Sequence, residues 1–498
     1  MSKMAPQPEQ EGQRGGQQAS AARVAAASSQ RRSVSLVGRP AGAHALSELS
    51  LWLPKDIMLL LRRQSTARWA ATAAGFGFGA ASYMMQERRA QNDSAPLLMQ
   101  SAALTPRLFA WGRLVPAGNV EAQVARKTRE PADVRFWESK GLRLKQLSFG
   151  SNHGAALDDK GGLWAWGTEA GPVPVKVPCK APLSALASTT TSLYAVTTKG
   201  RVVEWRDVDT QLAAAMDTTA SLTEPKPLRG DLTRVTAKSI AAGDDHVLVV
   251  GSAGEVVAFG DNSRGQLGLG REPADTPRCE EPTLLKTMPA GAQATHAACG
   301  AAHSVVALAD GGAVAFGDDR NLQLGVRQRT PKAMREGAPM CASPVQITAL
   351  PPGKRVVGVA AGGGGVEGGH SAFHMRSDDG DEIWTCGYGR FGALGLRRFE
   401  HQSEPRPITT LSKLKEWDEQ AKRVVGVRIE RIASGERHMA ALLATGNCFV
   451  WGWNDHGQLG TGGGQGSHTP TLVNAPPDLR FAVLKGLSCG PNSVAVFT

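Results

Sequence analysis

Residues Trp451 to Gly463 read WGWNDHGQLGTGG, a glycine-crowded stretch that also holds Asp455 and His456. Glycines beside an acid and a histidine suit a phosphate-binding loop, a catalytic pair or a tight turn. A phosphate loop needs a following Lys-Ser/Thr and a helix to open, and neither is present, here or at Gly265 to Gly270. Adjacent residues of one turn rarely converge on a substrate, which argues against an acid–base pair at Asp455-His456 or Asp245-His246. What decides the matter is recurrence: the stretch returns as DNSRGQLGLG at Asp261, DDRNLQLGV at Asp318 and YGRFGALGL at Tyr388.

A longer phrase surrounds each copy. Its first half is G-x-x-H followed by an apolar run: FGSNHGAAL (Phe149), AAGDDHVLVV (Ala241), ACGAAHSVVAL (Ala298), AAGGGGVEGGHSAF (Ala360) and ASGERHMAALL (Ala433), with weaker copies at Ala187 and Ser488. The second half is an aromatic or small residue before glycine, at Trp111, Trp166, Phe259, Phe316, Cys386 and Trp451, with a weaker copy at Trp205. Each half occurs seven times. VVALADGGAVAFG (Val305 to Gly317) is two apolar strands around Asp310-Gly311-Gly312, and ALLATGNCFVWG (Ala441 to Gly452) repeats that hairpin. One such unit cannot bury both faces, so units must stack, and a repeat of this length suits one blade of a β-propeller. The chain ends after a first half, and LFAWG (Leu108 to Gly112) is a second half with no first. Joined, they complete a blade, which predicts an all-β, seven-bladed propeller over 108–498 whose terminal strands pair and leave no open sheet edge.

The phrase G-x-x-H…AL…G-x-V-x-x-W/F-G…G-Q-L-G resembles the regulator of chromosome condensation (RCC-type) repeat family across about residues 108–498. The resemblance implies the propeller and several classes of function. The family includes guanine-nucleotide exchange factors for small GTPases, ubiquitin-ligase accessory domains and mitochondrial proteins, among them inner-membrane members linked to assembly of the cytochrome bc1 complex (complex III). Exchange-factor members insert an acidic loop and a wedge into the GTPase, and no residue of this chain maps onto them.

The 498 residues carry a formal net charge of +11. Of this, +7 falls within the first 90 residues, so the propeller is nearly balanced and nucleic acid is not expected as its ligand. Residues 1–67 read as a disordered mitochondrial presequence: Ala19 to Leu46 holds Arg23, Arg31, Arg32 and Arg39 and no acid. WAATAAGFGFGAASYMMQ (Trp69 to Gln86) has no charge, and as a helix it would cover roughly 27 Å, enough to span a bilayer core. Gly75 and Gly79 have the small-residue spacing of packed membrane helices. A single span within 68–90 and a linker over 91–107 are therefore expected, which places the chain in the mitochondrial inner membrane. The more basic N-terminal flank favours the propeller in the intermembrane space over the matrix.

Seven cysteines, an odd number without a C-x-x-C, argue against a zinc site or a full disulfide framework and read as free thiols. The repeated histidines, one per blade, are spread by the ring, so no metal is expected from them and a structural role is. No catalytic residue or cofactor site stands out. Binding is expected where the repeat breaks, because loops on a rigid scaffold carry it. Residues 113–140 are charged and partly helical in expectation, and 207–235 is an insertion. VRQRTPKAMREG supplies Arg327, Arg329, Lys332 and Arg335 as candidate partner-binding residues. SKLKEWDEQAKR (Ser412 to Arg423) reads as an amphipathic helix with Leu414, Trp417 and Ala421 on one face, and with Lys413, Lys415 and Trp417 as candidates. The reading is a non-enzymatic, membrane-anchored platform that binds protein partners during respiratory-complex assembly. An exchange factor for a small GTPase, and a matrix propeller bound to mitoribosome or RNA, are the alternatives.

Overall fold

The computed structural model describes residues 107–498 apart from 116–125, 168–172, 218–221, 272, 327–338, 365–366, 419–421, 475, 477–478 and 480–483. The expected presequence, the span with Gly75 and Gly79, and the basic loop with Arg327, Arg329, Lys332 and Arg335 lie outside the described residues. Among the described residues no helix is long and apolar enough to cross a membrane.

Seven four-stranded antiparallel sheets form the blades of a propeller. Blade 1 joins the chain ends: Leu108–Val115 lies beside Ser493–Phe497, in register from Leu108↔Phe497 to Gly112↔Ser493. Arg126–Val134 and Gly486–Gly490 flank that pair. Blades 2 to 7 follow in order and begin at Leu144, Leu183, Ala237, Ala294, Arg355 and Ile429. The expected ring closure is therefore seen as a continuous ladder of backbone hydrogen bonds.

The second strand of a blade is sandwiched between neighbouring blades. HVLVVG (His246–Gly251), HSVVAL (His303–Leu308) and HMAALL (His438–Leu443) are buried at every position. A strand covered on both faces reads as a continuous apolar run rather than an alternating one. Leu248, Val250 and Val256 of blade 4 pack on Val306, Leu308 and Phe316 of blade 5, and this interlock repeats round the ring. The first strands line the central channel with small side chains such as Ala187, Ala242, Ala298, Ala361 and Ala433. One face of the ring carries the turns after the first and third strands, and the other carries the turns after the second strands and the links to the next blade.

One expectation about the insertions is corrected. Ser412 to Arg423 is not an amphipathic helix. Only Thr409–Ser412 makes a helical turn, and Lys415–Asp418 then pairs with Arg423–Gly426 as a separate two-stranded hairpin. In 113–140, which is helical in part as expected, the outer strand Arg126–Val134 precedes a short helix, Phe136–Ser139. The 207–235 insertion contains a helix, Val208–Asp217, and a 3-10 turn, Gly230–Thr233.

Candidate partner-binding surfaces

The motifs that look most chemical prove to be fasteners between blades. In the GQLG turn, Gln266 donates from Nε2 to Asp261 (2.5 Å), its Oε1 accepts from the Arg264 N–H (2.8 Å), and Asn262 Oδ1 accepts from the Leu267 N–H (3.1 Å). Gln323 with Asp318 and Asp319 repeats this set. Gly268 has φ +65°, and a Cβ there would stand 2.8 Å from the Phe316 ring of the next blade. Glycine is needed at that position on both counts.

The histidines stitch the same seam. Ser304 Oγ donates to the Gln266 carbonyl (2.8 Å), so its lone pair accepts from His246 Nε2 at 3.0 Å. His303, Ser371 and the Gln323 carbonyl form the next copy. His370 reverses the tautomer: Nδ1 donates to the Gly368 carbonyl (2.8 Å), and Nε2 accepts from Ser434 (2.7 Å). His438 donates to the Ser493 carbonyl of blade 1 at 3.3 Å. Burial pushes His246, His370 and His438 down to about 4 and His303 to about 3, so all four are neutral at physiological pH. In the degenerate region His153 bonds Asp209 of the inserted helix instead, at 3.1 Å. Among the described residues no group of three His, Cys, Asp or Glu side chains could hold a metal ion. All seven cysteines are free, with Cys386 and Cys448 buried, and burial raises the Cys448 thiol to about 12.

Surfaces not used by this scaffold are found on both faces. On the face of the inter-blade links, the hairpin carries Trp417 directly opposite Val424, 37% and 52% exposed. Lys413 and Lys415 are exposed beside them. Two of the sequence candidates, Lys415 and Trp417, therefore lie on a hairpin rather than a helix, and Lys413 caps the helical turn just before it. The hairpin is tied down at its base, where the buried Asp381 carboxylate accepts from Arg428 Nη1 and from the Ile429 N–H, both at 3.0 Å. Asp381 also accepts from His374 Nε2 at 2.9 Å and from Arg376 at 3.1 Å. Burial opposes its charge, but these donors hold the carboxyl well below the usual range.

On the other face lies a cluster that the sequence reading did not single out. The Arg437 guanidinium lies over both Phe391 of blade 6 and Trp453 of blade 7, 4.5 and 5.2 Å from the ring centroids, which are 6.3 Å apart. Tyr388 packs on Phe391 and His456 on Trp453. The signal was available: Tyr388 and Trp453 stand where two other copies of the turn have Asp261 and Asp318.

Known proteins share this pattern. The profile of the Regulator of chromosome condensation (RCC1) repeat matches residues 253–307, 380–442 and 445–497, and a second profile of that repeat matches 237–266 and 429–458. The Ultraviolet-B receptor UVR8 of Arabidopsis thaliana is 29% identical over 54% of this chain and 52% of its own length. The Protein RCC2 homolog of Xenopus laevis is 30% identical over 49% and 46%. The chain thus spans about half the length of these curated relatives, and only 6% of the E3 ubiquitin-protein ligase HERC2 of Homo sapiens. In solved structures, Prp20p of Saccharomyces cerevisiae superposes with TM-score 0.61 at 19% identity, covering 79% of this chain and 92% of that one. Human WBSCR16 superposes with TM-score 0.61 at 20% identity, covering 79% and 99%. These likenesses establish the fold, and Prp20p was described with its binding properties to Gsp1p and histones. The repeat profiles lie on blades 4 to 7 and on the ring-closing strands, so this chain carries RCC1 repeats on a seven-bladed propeller.

Proposed function

We propose that this chain is a non-enzymatic protein-binding platform whose hairpin 415–426 is a docking element. The observation that carries the reading is the exposed Trp417–Val424 pair, on a hairpin that belongs to no blade and is anchored by Asp381. A tryptophan flanked by the cations Lys413 and Lys415 has the composition of an interface anchor. Relatives of the same fold bind proteins, which supports the class of function. The basic loop with Arg327, Arg329, Lys332 and Arg335 is a second candidate contact.

In the finer form of this proposal, the platform is held in the mitochondrial inner membrane by residues 69–86 and assists assembly of a respiratory complex, the cytochrome bc1 complex. Its support is the N-terminal composition and the family resemblance. The test is a photo-crosslinking residue at position 424 of the full chain in isolated mitochondria, with mass spectrometry of the adducts. Assembly intermediates should be captured, and Trp417→Ala should lower the yield about tenfold, as loss of an anchor residue does. Capture unchanged by Trp417→Ala would remove the hairpin from the interface. Extraction of the chain by alkaline carbonate would remove the anchor. Acceleration of nucleotide release from a small GTPase would replace the platform with an exchange factor.

A further inference from the structure

The turn that ends the third strand has one polar design in blades 4 and 5. Its first residue is an aspartate, Asp261 or Asp318, which accepts from the side-chain amide of the turn glutamine. Blades 6 and 7 abandon it side by side. The aspartate becomes Tyr388 and Trp453, and the fourth residue becomes Phe391 and His456, where blades 4 and 5 have Arg264 and Asn321. In blade 7 the glutamine is retained. Gln458 Oε1 still accepts from the His456 N–H at 2.9 Å, but Gln458 Nε2 is buried with no acceptor among the described residues. A buried unpaired donor costs about 1–3 kcal/mol. Trp453 is therefore not there for the turn, which it weakens.

What Trp453 does touch is Arg437. The Trp453 N–H donates to the Arg437 carbonyl at 2.9 Å, which sets the two side chains next to each other, and Phe391 closes on the guanidinium from blade 6. Arg437 Nε is buried without an acceptor, and Arg437 makes no ion pair among the described residues. A guanidinium held in the notch of two tilted rings, whose centroids are 6.3 Å apart, has lost much of its freedom, yet its terminal Nη donors make no hydrogen bond among the described residues. That fork matches a carboxylate in a bidentate pair, and the surrounding rings offer apolar contact to the chain that bears it. We propose that Arg437, held against Phe391 and Trp453, is a recognition site for an acidic side chain of a partner polypeptide with apolar residues beside the acid. The site is on the face opposite the hairpin, and it stands whether or not the hairpin binds.

The test uses the purified full chain and a fluorescein-labelled peptide of alternating glutamate and leucine, followed by anisotropy. Saturable binding is expected, at least about tenfold weaker for the glutamine-for-glutamate peptide and for both Arg437→Ala and Arg437→Lys, since lysine lacks the fork. Trp453→Asp separates the site from the scaffold. It returns an acceptor to Gln458 and should leave the melting temperature unchanged or raised, while peptide binding falls about tenfold. Equal binding of the glutamine peptide, no saturable binding, or binding untouched by Arg437→Ala would overturn the proposal. Tighter binding of a phosphoserine-for-glutamate peptide would replace the carboxylate with phosphate. A dimer in light scattering that Arg437→Ala dissolves would make a second copy of the chain the occupant and overturn the peptide assignment.

Discussion

Asp381 shows how one residue holds a surface in place. Its side chain is fully buried, while Arg376 and Arg428 are 49% and 39% exposed, so solvent screens the cations more than the carboxylate. Removing the charge leaves two guanidiniums and the His374 imidazole around a neutral amide. Asp381→Asn is expected to cost about 2–3 kcal/mol in urea unfolding, below the 3–5 of a fully buried pair. Because the carboxyl is depressed in the folded state, its contribution is present above the ordinary carboxylate pKa, near 3.9, and is lost as pH falls through the lower folded value. The mutation should also expose the hairpin first. Brief trypsin treatment should cut at Lys415 or Arg423 before the blades unfold. Global and local protection falling together would show that the hairpin is no separate unit.

At the scale of the element, a rule links the turns to the next blade. Each turn offers a carbonyl, and the next blade supplies a donor from one of two cross-strand partners. Where the third strand has Trp451 or Trp111, its indole donates, to the Ala393 carbonyl at 2.7 Å or the Gln458 carbonyl at 2.9 Å, and the facing residue is Met439 or Val494. Where that strand has Phe316 or Cys386, the facing Ser304 or Ser371 donates instead. Ser304→Val should therefore cost about 1–3 kcal/mol, because it orphans the Gln266 carbonyl and His246 Nε2. Phe316→Trp in the same chain should recover part of that loss, a coupling that a double-mutant cycle in urea measures and that independent sites would not show. The repeat, the hairpins at Asp310 and Thr445 and the ring closure were legible because each blade imposes the same local rules on the chain. The hairpin 415–426 was not. Leu414, Trp417 and Ala421 mimic a helical stripe, and the alternative pairing of Trp417 with Val424 depends on the tertiary anchor at Asp381 and Arg428. The Arg437 cluster was legible only as a departure, in the aromatics that replace Asp261 and Asp318, and its assembly from two blades lies beyond any single stretch of sequence.

The whole ring inherits a pH response from its stitches. His246, His303, His370 and His438 are each neutral and buried between blades, with folded pKa values of about 4, 3, 4 and 4. An unfolded chain protonates histidine near 6.5, so below that pH the unfolded state binds more protons than the folded one. The sign follows: these groups leave stability intact above about pH 6.5 and withdraw it as pH falls toward 4, at about 1.4 kcal/mol per pH unit for each histidine that titrates only when unfolded. This window lies above that of Asp381, so the two can be told apart. Because each imidazole joins neighbouring blades, from blade 4 through to blade 1, the losses should appear in one cooperative transition rather than blade by blade. Urea unfolding between pH 7.5 and 5.0 should show stability falling below pH 6.5, and His303→Gln, which cannot titrate, should lower the slope by about one proton. Flat stability from pH 6.5 to 5.0 would mean that the histidines are solvated in the folded ring, and that the hydrogen bonds to Ser304, Ser371 and Ser434 do not hold the blades together.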